Sequence, residues 1–196
     1  MQRYLFFIDR ISTWVGKTFA WAIVALTFVV TYDVVMRKMG QPTDWAFDVS
    51  WMLYGALFLM AGAYTLSRNG HVRGDVLYGF FPPRLQASLD LVLFFLFFVP
   101  GILALAYAGI GYAETSWGFK ETSNNTPDVF IYPVKALIPI AGFLVFLQGI
   151  AEIVRCVLCL RTGQWPARAH DVEEIDIEEL KEMVGIKDPN NAGAKP

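Results

Sequence analysis

Four apolar blocks dominate this chain, at about residues 14–36, 45–67, 85–113 and 130–160. Each is longer than the roughly 18 residues that mark a candidate membrane-crossing helix. The sequence therefore predicts an all-α integral membrane protein with four tilted transmembrane helices. The third and fourth blocks carry the tilt argument. A helix of about 29 residues is roughly 43 Å long, against a hydrocarbon core of about 30 Å. Such helices must lean, bend or run into the headgroups. Pro100, which removes a backbone donor, marks a kink in the third block.

Composition agrees with that reading. Hydrophobic residues make up 55% of the chain and charged ones 17%, where a soluble domain carries about 25% charged residues. The formal charge of −2 is unevenly distributed. Residues 1–168 hold 13 Lys/Arg and 10 Asp/Glu, whereas residues 169–196 hold 3 and 8. The negative charge thus belongs to the C-terminal segment, and nothing supports a nucleic-acid partner. The expected organisation is a four-helix membrane domain over 1–165 and an acidic, mostly disordered tail over 166–196. Ile177, Leu180 and Val184 form one short helical stripe in that tail, enough for a docking helix.

The first block resembles a signal peptide but is too long for one, and no Ala-x-Ala site follows it; it is read as a retained anchor. Orientation follows from the cations in the connections. Arg3, Arg10, Lys17, Arg68, Arg73, Arg84, Arg155, Arg161 and Arg168 fall on one side. Arg37, Lys38, Lys120 and Lys135 fall on the other. Both termini are therefore expected to be cytoplasmic, with Trp45, Trp117 and Tyr132 in the opposite interfacial belt.

Ionisable groups within a span need a partner or a function. Asp33 and Arg37 lie four apart, and Glu152 and Arg155 three apart, so each pair shares a helical face and can form an ion pair. Lys135 can snorkel outward from the fourth span. Asp48 and Glu114 lie within a turn of a span end. The span centres carry no charge, unlike the carboxylate- or histidine-lined pathways of carriers and pumps. Gly55 and Gly62, with Ala56 and Ala63, place small residues on one face of the second span, suited to close packing within the bundle or on a partner. Gly142 and Gly149 repeat the spacing in the fourth span, and Ala104 and Ala108 form a related pair in the third. Phe94, Phe95, Phe97 and Phe98 cover more than one face and suit lipid or a partner.

Cys156 and Cys159 have a Cys-x-x-Cys spacing but no further ligands nearby, so they are read as small apolar side chains in a helix. No catalytic set, metal site or cofactor is expected. The most distinctive polar segment is Ser67-Arg68-Asn69-Gly70-His71-Val72-Arg73-Gly74-Asp75. It offers guanidinium, imidazole and carboxylate groups for lipid phosphate, a partner or helix ends.

The same residues carry a resemblance. The chain resembles the small membrane subunit, DctQ type, of tripartite ATP-independent periplasmic (TRAP) transporters. The pattern starts with Asp33-Val34-Val35-Met36-Arg37, continues through Pro42, Trp45 and the acidic Asp48, and passes Gly62 and Ala63. It closes on Gly70-His71-Val72-Arg73-Gly74-Asp75, with a Pro-containing turn and a third span starting near Asp90. Asp48 stands where the family usually has Glu, and Gly74 where a β-branched residue is usual. The resemblance implies an accessory subunit in a bacterial inner membrane, beside a large membrane subunit that carries solute and sodium, with a periplasmic substrate-binding protein and membrane lipids as further partners. It makes Asp33, Arg37, Trp45, Asp48, Gly55, Gly62, His71, Arg73 and Asp75 the candidates for contact with partner or lipid. Two other readings remain open on residues alone. One is a membrane anchor of a redox complex, which needs axial ligands although His71 and His170 both lie outside the apolar blocks. The other is a stand-alone carrier or channel.

Overall fold

The computed structural model describes residues 2–68 and 81–166. Helices dominate that region: α1 (Gln2–Ala20), α2 (Ala22–Lys38), α3 (Ala46–Ser67), α4 (Pro83–Leu93), a π-helical turn (Phe94–Phe98), α5 (Val99–Phe119), the one-turn α6 (Tyr132–Lys135) and α7 (Leu137–Thr162). They assemble into four runs long and apolar enough to cross a membrane, Arg3–Lys38, Ala46–Ser67, Pro83–Phe119 and Tyr132–Thr162. Among the described residues the only β pairing is an isolated antiparallel bridge, Thr122 to Phe130.

Local chemistry sets where the helices begin and end. The first helix starts at Gln2, ahead of the apolar block, because the polar and apolar residues before Trp14 already alternate with helical period. The run breaks only at Trp21, which separates α1 from α2 while keeping helical dihedrals. At the far end Gly40 takes a positive φ of 78°. Its N–H bonds Arg37 O and the Gln41 N–H bonds Met36 O, the Schellman arrangement that satisfies the last carbonyls. Pro42 then prevents the helix from resuming. α5 ends in the same way around Lys120, which adopts a left-handed φ of 48° without being glycine. Its N–H reaches Trp117 O, and the N–H of Glu121 reaches Ser116 O.

The irregularity expected at Pro100 takes a specific form. Proline cannot donate to the carbonyl of residue 96, and its ring crowds that carbonyl. The helix widens into a π turn over Phe94–Phe98 immediately before it. The widening divides the phenylalanines: Phe94 and Phe98 turn toward the bundle and meet edge to face at 4.9 Å, while Phe95 and Phe97 remain exposed.

α3 and α7 form the centre. α3 lies against α1, α2 and α7, and α7 lies against α5, α4, α3 and α1. Without a hydrophobic drive between helices in lipid, contact relies on close approach and hydrogen bonds. Small residues supply the approach: a side chain added at Gly149 would stand 2.2 Å from a Phe98 ring carbon, and one at Gly142 would stand 3.2 Å from Ala106 Cβ. Ala56 and Ala63 are buried on α3. Cys156 and Cys159 form no disulfide and are buried against Ala87, and Cys159 Sγ also donates to Pro83 O at 3.6 Å. α2 buries none of its residues.

Candidate functional site

The polar side chains of the membrane-capable helices gather at two levels, which lie at opposite ends of the bundle. At the end where α1 begins and α7 finishes, a chain of side chains joins the two helices. Ser12 Oγ donates to Gln148 Oε1 at 2.9 Å, and Gln148 Nε2 donates to Asp9 Oδ1 at 2.8 Å. Arg155 Nη2 donates to Asp9 Oδ2 at 2.5 Å, and its Nη1 donates to Glu152 Oε1. All five residues are buried, Gln148 completely. The guanidinium thus sits between two carboxylates, one from its own helix and one from α1. In a low-dielectric setting such charges are tolerable only when paired and hydrogen-bonded.

The Glu152–Arg155 pair was legible as an i, i+3 spacing. Asp9 and Ser12 were not, because they precede the apolar block and nothing local points to partners 146 and 136 residues away. Gln148 did leave a signal: it is an amide in the middle of a block otherwise made of apolar and small residues. An amide there has to find a partner.

At the opposite end the contacts are shorter in range and run through loops. Asp33 accepts from Arg37 Nη2 at 2.7 Å and from Thr43 Oγ1 at 2.5 Å, so the i, i+4 pair is formed and also holds the α2–α3 turn. Tyr32 and Trp45 stack beside it with ring centroids 6.0 Å apart. Asp48 is buried in the first turn of α3 and accepts from Asn125 Nδ2 at 3.0 Å. Its carboxylate also faces the positive end of the helix. Thr126 Oγ1 donates to Asp44 O, so the α5–α6 loop is tied to the start of α3 twice. Lys135 does not reach outward into water. Its ammonium bonds Glu121 at 2.5 Å and lies 4.1 Å from the Tyr112 ring centroid. Glu121 also accepts from Ser116 Oγ at 2.6 Å. The Lys135 hydrogen bond, followed by the Ser116 one, holds the Glu121 carboxyl below its ordinary pKa. Thr43, Glu121 and Asn125 were not singled out from sequence, because loop residues have no periodicity to indicate what they meet.

The remaining candidates separate. Gly62 faces α7, and a side chain there would meet Val145 Cγ2 at 3.3 Å. Its smallness serves packing inside this chain, one of the two roles that the small-residue stripe left open. Gly55, seven residues earlier, is half-buried, and a side chain added there would meet nothing within 4 Å among the described residues. His71, Arg73, Asp75 and the acidic tail lie outside the described residues. No group of three or more metal-ligating side chains occurs among the described residues.

Taken together, the geometry is that of polar clasps closed within one chain, surrounded by an apolar exterior. A family comparison points the same way. The model of the family described as tripartite ATP-independent periplasmic transporters, DctQ component, matches residues 26–159. No curated protein matches the chain.

Proposed function

Because this chain belongs to the DctQ component family of tripartite ATP-independent periplasmic transporters, we propose that it is the small accessory subunit of a sodium-coupled solute importer in a bacterial inner membrane. It is a transporter component and not an enzyme. In this reading the chain packs against the large transport subunit and stabilises it in the membrane. Solute and sodium are handled by that subunit, and a periplasmic binding protein delivers an organic acid or similar solute. Both termini face the cytoplasm, as the distribution of cations favours.

One observation carries the scaffold role. The buried charged and amide groups at both ends are engaged with each other inside this chain, whereas α2 buries no residue and exposes Val24, Phe28, Val30 and Val34. Side chains already committed to each other build a rigid support. A helix that lies against α3 on one side and leaves apolar side chains exposed elsewhere supplies surface to lipid or to a neighbouring membrane protein. Proteoliposomes test the proposal directly. Sodium-driven uptake is expected when this chain, the large subunit and the binding protein are present together, and to fall to background when this chain is omitted. Uptake sustained by this chain alone would end the accessory reading.

A further inference from the structure

The start of the chain has a feature that the accessory role leaves unused. Arg3, Arg10 and Lys17 recur every seven residues, and Phe7, Trp14 and Trp21 recur at the same interval four residues behind them. Residues four apart are neighbours on a helix surface. Each cation therefore stands beside an aromatic ring position, three times over, along one side of α1. That side is the outer one. Arg3, Arg10 and Lys17 are exposed, and Trp14 and Trp21 are 69% and 73% exposed. None of the three cations forms an ion pair among the described residues, whereas the opposite side of α1 buries Leu5, Ile8, Asp9 and Ser12.

From this arrangement we propose that the outer face of α1 binds the headgroups of anionic phospholipids. Length places the face at the right depth. The run Arg3–Lys38 has 36 residues, about 54 Å at the helical rise, and exceeds a hydrocarbon core of about 30 Å. The apolar α2 half fills the core, so the cation-bearing half emerges among the headgroups. There the indole rings sit at the boundary and the cations meet phosphate. The Asp9–Arg155 and Ser12–Gln148 contacts fix the rotation of α1 about its own axis, so the face is presented in one orientation. The acidic tail is the net-negative segment of this chain. Its carboxylates complement the cations but offer little to cover two exposed indoles, and a lipid headgroup with its acyl boundary suits both.

The test titrates the purified full-length chain in mild detergent with phosphatidylglycerol or phosphatidylcholine and counts bound lipid by native mass spectrometry. Phosphatidylglycerol is expected to bind more tightly. The Arg3→Gln/Arg10→Gln/Lys17→Gln chain is expected to lose that preference by about fivefold per cation removed. The charge-conserving Arg3→Lys/Arg10→Lys/Lys17→Arg chain is expected to keep it, as is a chain ending after Arg168. All three substituted positions are exposed and the truncation is terminal, so an unchanged helix content and melting temperature checks that the variants fold. Equal affinity of the parent chain for the two lipids overturns the proposal, and so does an unaltered preference in the glutamine variant. A preference that emerges only when the tail is removed assigns the face to the tail and overturns it equally.

Discussion

The two ends of the bundle solve the same problem, charge near lipid, in different ways. At the Arg155 end the partners come from helices far apart in sequence, every member is buried, and one guanidinium serves two carboxylates. At the Asp48 end the Asp33–Arg37 pair is four residues apart, Arg37 is 67% exposed, and loop side chains complete the contacts. The first arrangement fixes how α1 sits on α7. The second fixes how short connections close over helix ends. Breaking a buried pair leaves an uncompensated charge and costs about 3–5 kcal/mol, while exposed pairs contribute little. The difference therefore concerns consequence as well as geometry, and substitutions at the two ends should separate widely.

The largest effect is expected from Arg155→Ala, which strands Asp9 and Glu152 together. A loss of about 3–5 kcal/mol is expected, read as a lower melting temperature in detergent, with faster proteolysis near the N-terminus as α1 loosens. A melting temperature equal to the parent's would mean that the network contributes nothing. Asp48→Ala should rank second, because it frees Asn125 and one of the two ties between the α5–α6 loop and α3. A drop of about 2–4 °C is the scale for one lost hydrogen bond in a chain of this size. A drop matching that of Arg155→Ala would erase the contrast between the ends. Asp33→Asn should fall below both, since the neutral amide still accepts from Thr43 and Arg37 is open to water.

Acid offers a finer probe of the same contrast. The Glu121 carboxyl is held below its ordinary pKa by Lys135 and then by Ser116. Its contribution to loop closure is therefore fully present above about pH 4.3, the ordinary glutamate value. It is lost as pH falls through the lowered folded value. Hydrogen exchange of the 120–131 loop should accelerate over that acidic range in the parent chain and be insensitive to pH there, after correction for intrinsic exchange, in Glu121→Gln. Loop protection that falls identically in both would remove Glu121 from the account.

Much of this fold could be read from the chain because its signals are local. Apolar blocks need no partner to be recognised, and the expected four helices long and apolar enough to cross a membrane are present, the first beginning well ahead of its apolar block. The Asp33–Arg37 and Glu152–Arg155 pairs follow from spacing on one helix. The site was less legible. Gly55 and Gly62 share a face by period, yet a side chain added at Gly62 would meet Val145 while one added at Gly55 would meet nothing within 4 Å among the described residues. Lys135 looked free to snorkel and instead lies between Glu121 and the Tyr112 ring.

By itself the sequence determined that the chain forms apolar helices with charges near their ends, because helical period and hydropathy are properties of neighbouring residues. Only the tertiary structure decided that Asp9 meets Arg155, that Asn125 meets Asp48, and that one glycine of a matched pair faces inward. Those outcomes depend on the rotation and depth of each helix relative to the others. Packing of the whole bundle sets both, and no stretch of the chain encodes either alone.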